Sequence, residues 1–184
     1  MSLNAIGEAE CRARADARLP DREGLVAAME STYEDWNLPC LPQAAAGIER
    51  LRLDETLCVV TGQQPGFLGG PLYVLYKALS AISLARWVEE SCGTPCVPVF
   101  WVAGEDHDID EVRTARFPIG GEDAAFSLPH EISRVPLSKL PIDSQCEKVL
   151  TEFIASIGAR KHSDAVEELA GQYHGRNVAS GFAA

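Results

Sequence analysis

The sequence predicts an α/β fold around a parallel sheet, partial and based on one βαβ unit, with helices before it and a small insertion after it. Three observations carry that reading. Residues 57–61 (Leu-Cys-Val-Val-Thr) and 96–102 (Cys-Val-Pro-Val-Phe-Trp-Val) are short continuous apolar runs, the pattern of strands buried on both faces of a parallel sheet. Between them lies a glycine-rich stretch, 62–70, followed by a helical pattern from Leu72 to about Ser91. Strand, glycine loop, helix and strand in that order make a βαβ unit, for which a right-handed crossover is expected.

Residues 1–50 read as an N-terminal helical segment. Ala, Glu and Arg favour a helix over 5–18, Pro20 interrupts it, and Asp21 is placed to cap a second helix running to about Trp36, with Leu25, Met29, Tyr33 and Trp36 on one stripe. Pro39, Pro42 and Gly47 mark 37–47 as a loop. Residues 51–112 hold the first βαβ unit. Pro71 suits a first helical turn, and Leu75, Leu79, Ile82 and Arg86, flanked by Tyr76 and Ser83, recur at helical spacing until Gly93 and Pro95 end the helix. Pro98 argues against a central place for the second strand. Residues 113–142 form the insertion, with short strands over 112–117 and 124–128 around Gly120-Gly121. Residues 143–184 read as two helices, 143–159 and 163–182. Doubly wound sheets usually have about five or six strands, so the chain reads as the N-terminal portion of a longer enzyme, truncated before its sheet is complete.

The bulk numbers narrow the class. Among 184 residues, 46% are hydrophobic and 23% charged, with a net charge of −11, the composition of a globular protein. An acidic chain with no basic run or basic–aromatic stripe excludes nucleic acid as the expected partner. No stretch approaches the roughly 18 apolar residues of a membrane span, and the N-terminus lacks a signal-peptide core, so a cytoplasmic location is expected. The six cysteines, Cys11, Cys40, Cys58, Cys92, Cys96 and Cys146, are scattered. They are expected to be free thiols, with Cys58 and Cys96 buried in strands. Cys92 and Cys96 give a C-x3-C, but no second pair or nearby His completes a zinc set, and no metal ligand is assigned.

Two stretches carry the chemistry. The first is Thr61-Gly-Gln-Gln-Pro-Gly-Phe-Leu-Gly-Gly-Pro-Leu-Tyr73, with Lys77 behind it. Gly62, Gly66, Gly69 and Gly70 let the backbone turn sharply and approach a ligand. The helix that follows offers unpaired N–H groups and the positive end of its dipole to an anion. Gln63 and Gln64 add amides, and Lys77 adds positive charge. The plainer alternative is a tight turn that starts a helix, with Lys77 as a solvated lysine. The second stretch is Trp101-Val-Ala-Gly-Glu-Asp-His-Asp108, extended by Asp110 and Glu111. It leaves the second strand at its carboxyl end, the edge where open α/β sheets bind ligands. His107 between Asp106 and Asp108 is a candidate proton carrier oriented by a carboxylate, and Glu105 with the aspartates suits an amine or a divalent cation. The plainer alternative is an acidic loop capping a helix near Asp108. A metal-dependent hydrolase using the Glu105–Asp110 cluster and a non-catalytic small-anion-binding module are the rival functions. His130, His162 and His174 lie far from His107 in sequence and make a multi-His centre hard to build. The polar segment from Tyr173 to Asn177 reads as a surface loop before the last helix, or as a wall of the crevice.

The motifs at 61–73, Tyr76-Lys77-Ala78, Pro98-Val-Phe-Trp-Val102 and Glu105-Asp-His-Asp108, in this order, resemble the bacillithiol synthase family (BshC), cysteine-adding ligases. The resemblance is strong over at least 57–112. It implies a Rossmann-like core similar to nucleotidyltransferase-type ligases, interrupted by an insertion and completed by a coiled coil that supports a homodimer of the full-length protein. It implies a carbon–nitrogen ligase that joins L-cysteine to the amine of glucosaminyl-malate in the last step of bacillithiol biosynthesis, with ATP expected to activate the carboxylate. By position, Gln63, Gln64, Gly66, Gly69, Gly70 and Lys77 match the glycine–glutamine motif, and Glu105, Asp106, His107 and Asp108 match the acidic motif. Together with Tyr73 and Trp101 these are the candidate site residues: His107, Asp106, Asp108 and Lys77 catalytic, the rest substrate- or anion-binding.

Overall fold

A computed structural model describes residues 21–130, 134–159 and 161–184; the helix expected over 5–18 lies outside them. The chain divides into two compact units, one within Met1–Gly62 and Leu75–Trp101, the other comprising Gln63–Val74 and Val102–Ala184.

The first unit opens with α1 (Arg22–Asp35), whose N-cap Asp21 accepts from the Gly24 amide as expected. Its inward residue is Val26, fully buried; Leu25 is exposed. A second helix, α2 (Pro42–Arg50), replaces the loop expected over 37–47. Pro42 stands at its N-terminus, where a missing N–H costs nothing, and the run Gln-Ala-Ala-Ala propagates the helix through Gly47. Val26, Ile48, Leu51 and Val97 form one apolar cluster with Met29, Tyr33 and Val99 against it. Beside it the buried Arg22 guanidinium donates to the carbonyls of Leu51 (2.9 Å), Asp54 (2.6 Å) and Thr56 (3.1 Å), so main-chain oxygens offset the cost of burying its charge.

Strands β1 (Leu57–Gln63) and β2 (Cys96–Val102) pair in a two-stranded parallel sheet, joined by α3 (Tyr73–Cys92). β1 runs two residues beyond the expected end. It is not buried on both faces: Cys58 and Val60 are exposed, so the expectation of a buried Cys58 fails while Cys96 is buried. Along α3 the stripe of Leu75, Leu79 and Ile82 is also the exposed one. Ala81, Ala85, Val88 and Cys92 face inward, the last three packing with Cys96, Leu57 and Val59. Small residues let the helix lie close to the strands, which is why the larger side chains are the ones left outside.

The second unit is built around one larger core. A short helix, α4 (Ile109–Val112), leads into a hairpin of β3 (Thr114–Ile119) and β4 (Glu122–Ser127), antiparallel with Ile119 opposite Glu122. Gly120 and Gly121 form its turn with φ of 66° and 90°, values an L side chain resists. After a turn at Leu137–Lys139, helix α5 (Ser144–Ile157) is capped by Asp143, and its Phe153 ring meets Phe117 and Phe126 of the hairpin at 4.9 and 5.2 Å. The single helix expected over 163–182 is two helices, α6 (Ser163–Gly171) and α7 (Val178–Ala183). Gly175 at φ 68° breaks the first, and Asn177 starts the second through a reciprocal capping box with Ser180. Phe67, Ile109, Leu128, Leu137, Cys146, Leu150, Tyr173 and Val178 share the core. No helix among the described residues is long and apolar enough to cross a membrane.

Candidate active site

The glycine stretch begins at a forced close approach. In the first unit, a Cβ on Gly62 would lie 2.6 Å from the Trp101 carbonyl oxygen, so only glycine lets β1 run this near β2. The Lys77 ammonium donates to the Gly62 carbonyl at 3.2 Å. Trp101 is exposed on the same unit.

In the second unit the chain from Gln63 to Gly70 folds into a turn with Phe67 buried at its centre. Leu68, Gly69 and Gly70 all have positive φ (51°, 85° and 69°), and a Cβ on Gly66 would lie 2.6 Å from the Gly70 Cα. Both ends of the turn therefore require glycine, and Leu68 holds a conformation that side chains rarely adopt. Tyr173, only 3% exposed, closes the turn from behind. Its hydroxyl donates to the Gly66 carbonyl at 3.2 Å and accepts from the Gly69 amide at 3.3 Å, while its ring meets Phe67 edge-on at 5.6 Å. Burial pushes its phenol well above the ordinary range, so it acts as a neutral clamp. Neither end of the 173–177 segment behaves as a free surface loop: His174 Nδ1 contacts Glu147 on α5. Sequence reading undervalued Tyr173; the only available signal was an aromatic residue ahead of a glycine–asparagine helix start.

The acidic stretch follows β2. Its backbone is held by the 137–139 turn, with the Leu137 amide donating to the Asp106 carbonyl (2.7 Å) and the Ser138 amide to that of Gly104 (2.8 Å). The Asp106 carboxylate gathers three donors: Gln64 Nε2 at 2.7 Å, the His107 amide at 2.6 Å and the Asp108 amide at 3.1 Å. The Gln64 amide, then the two backbone donors, hold its carboxyl below the usual range. Gln64 and Asp106 thus bring the two predicted stretches into direct contact, reinforced by the Ala103 amide donating to the Gln63 carbonyl at 3.0 Å.

The remaining candidates divide by exposure. His107 is 63% exposed and its Nδ1 lies 3.9 Å from Asp106 Oδ1, too far for a hydrogen bond. Glu105, Asp108 and Tyr73 are exposed. Asp108 is the N-cap residue of α4, with no side-chain capping bond. Asp110 pairs with Arg113 at 3.0 Å, the ordinary role of an acid in a first helical turn.

A triphosphate needs a set of aimed donors, and the glycine turn does not supply one. Its Gly69 amide is taken by Tyr173 and its Gly70 amide by the Phe67 carbonyl at 3.1 Å, while the Lys77 ammonium has a carbonyl partner. Nor do the acids of the 105–110 stretch form, among the described residues, a set of three converging metal ligands; the side chains that do converge are His130, Asp143 and Cys146.

The chain matches, over residues 5–183, the family model described as "Bacillithiol biosynthesis BshC, N-terminal Rossmann-like domain". It is 40% identical over 129 residues to a protein of Geobacillus kaustophilus named "Putative cysteine ligase BshC", an alignment covering 69% of this chain and 23% of the relative. A relative of the same name from Symbiobacterium thermophilum is 39% identical over 132 residues, 69% of this chain and 24% of its own. Another, from Shouchella clausii, is 51% identical over 70 residues, 38% of this chain and 13% of its own. The chain spans about a quarter of the length of the first two relatives.

Proposed function

Because the chain belongs to the BshC family, through its N-terminal Rossmann-like domain, we propose that it supplies part of the active site of a ligase that joins L-cysteine to the amine of glucosaminyl-malate, the amide-forming step that completes bacillithiol. The observation that carries the proposal is the 2.7 Å bond from Gln64 to Asp106. It links the glycine–glutamine stretch to the acidic stretch at the carboxyl ends of two parallel strands, the edge where such sheets bind small molecules.

The groups divide the work by what they already touch. Asp106 is occupied by Gln64 and two main-chain amides, so it shapes the loop. His107 projects from that shaped loop with its imidazole exposed, and takes a proton from the attacking amine as the carbon–nitrogen bond forms and the bond from the carboxyl carbon to its ATP-derived phosphate leaving group breaks. Gln63, Glu105, Asp108 and Tyr73 are positioned to contact polar parts of the substrates. Activation of the cysteine carboxylate, with ATP as the reagent, and the dimer belong to the remaining length of the full protein.

The test is to incubate the full-length protein with L-cysteine, glucosaminyl-malate and ATP, with and without divalent metal, and to analyse the products by mass. Formation of the cysteinyl amide that disappears in His107→Ala supports the proposal. Metal-dependent, ATP-independent cleavage of a substrate without the amide would favour a hydrolase, and ligand binding without product would leave only an anion-binding module.

A further inference from the structure

We propose that His130, Asp143 and Cys146 form a binding site for one thiophilic divalent transition-metal ion of the zinc type, separate from the glycine and acidic stretches. Their ligand atoms all lie within 4.8 Å of one another. Cys146 Sγ is 3.4 Å from His130 Nε2, close to the edge of roughly 3.5 Å that tetrahedral zinc would set between sulfur and nitrogen.

Each ligand is held by a structural partner, as metal ligands are. Asp143 caps α5, with one carboxylate oxygen accepting from the Gln145 amide (2.9 Å) and the Cys146 amide (3.0 Å). The same carboxylate also faces the Cys146 side chain. Cys146 lies in the first turn of α5 and is fully buried, so its sulfur cannot turn away into solvent. The His130 carbonyl accepts from Arg113 at 3.2 Å, which fixes the backbone from which the imidazole projects.

Charge and ligand type select the ion. A thiolate and a carboxylate together neutralise a dication, and this reverses the repulsion that the positive end of the α5 dipole would exert on a bare cation. One sulfur, one imidazole nitrogen and one carboxylate oxygen are a poor set for calcium or magnesium, which take oxygen ligands, and a good one for zinc or cobalt. The cysteine closes the buried side, and the exposed Asp143 faces solvent, leaving a fourth position for water or an exogenous ligand.

The full-length protein, stripped with a chelator, is titrated with Co(II) alone and then Zn(II) alone. One equivalent of Co(II) should give the visible bands of a tetrahedral centre and a sulfur-to-cobalt charge-transfer band, and Zn(II) should displace both. Cys146→Ala should lose the charge-transfer band. Asp143→Asn, which keeps the helix cap, and His130→Ala should each weaken Zn(II) binding by about tenfold or more. Zn(II) should raise the melting temperature of the wild type and not that of the three variants. If Cys146→Ala folds poorly, the Asp143→Asn and His130→Ala titrations decide alone. No stoichiometric uptake, a charge-transfer band that survives in Cys146→Ala, or equal Zn(II) affinity in the wild type and both other variants overturns the proposal.

Discussion

Two groupings of histidine with carboxylate in the second unit are built in opposite ways. In Glu105-Asp-His-Asp108 the residues are neighbours in the chain, yet their side chains diverge. Asp106 turns inward to Gln64 and the backbone, and His107 stands in solvent. In His130, Asp143 and Cys146 two residues share the start of α5 and the third comes from a separate segment, yet their ligand atoms converge. Adjacency in sequence gives adjacency of backbone only, because successive side chains in a loop point in different directions. Convergence needs a core to pull distant segments together, and Cys146 and Leu137 belong to that core. The exposed grouping suits chemistry on a substrate that arrives from solvent. The converged one suits a bound ion.

The strongest way to break this contrast is at His107. Turnover of the full-length enzyme should fall roughly 10²-fold or more in His107→Ala if the imidazole moves the proton, with KM much less changed; an unaltered kcat would place the chemistry elsewhere. Next comes Gln64→Leu, which strips Asp106 of its strongest donor while keeping approximate size. Loss of a hydrogen bond to a charged group costs about 1.5–3 kcal/mol, so kcat/KM should drop about ten- to a hundredfold if loop shape matters to the reaction. Steady-state kinetics on the purified variant checks it.

A third effect is read in stability. Tyr173→Phe keeps the ring against Phe67 but leaves the Gly66 carbonyl and the Gly69 amide without their partner, and should cost about 1–3 kcal/mol in denaturant unfolding. The smallest effect is in pH. The native Asp106 carboxyl lies below its ordinary value because Gln64 and two amides favour the charged form. Its contribution to stability is therefore complete above the ordinary carboxylate range and is lost as pH falls through the lowered native value. Asp106→Asn should flatten the acid limb of stability between about pH 5 and pH 2. A limb identical to the wild type would show that other carboxylates set it.

What the sequence made legible follows from range. The strand–loop–helix–strand order, the hairpin at Gly120-Gly121 and the cap at Asp21 depend on local patterns, and the family model matches residues 5–183. The α2 helix was hidden because Pro42 and Gly47 look like breakers when their place within a helix is unknown. The split at Gly175 was hidden by a helical pattern that continues on both sides of it. On α3 the large apolar residues suggested the packed face, yet the close approach of the strands favours Ala81 and Ala85 there. For the site, sequence order identified Gln64 and Asp106 separately. Their bond spans 42 positions, and Tyr173 is 104 positions from Gly69. No local pattern encodes such contacts.

Gly181 sits on α7 with its Cα pressed toward the Tyr173 ring, so that a Cβ there would lie 2.5 Å from the ring's Cδ1. Because the far side of that ring grips Gly66 and Gly69, one added methyl group near the last residues of the chain would act as a wedge, levering a distant bend through a rigid aromatic spacer. Damage at position 181 would then surface first as displacement of the Gly66–Gly70 bend that the Tyr173 hydroxyl holds.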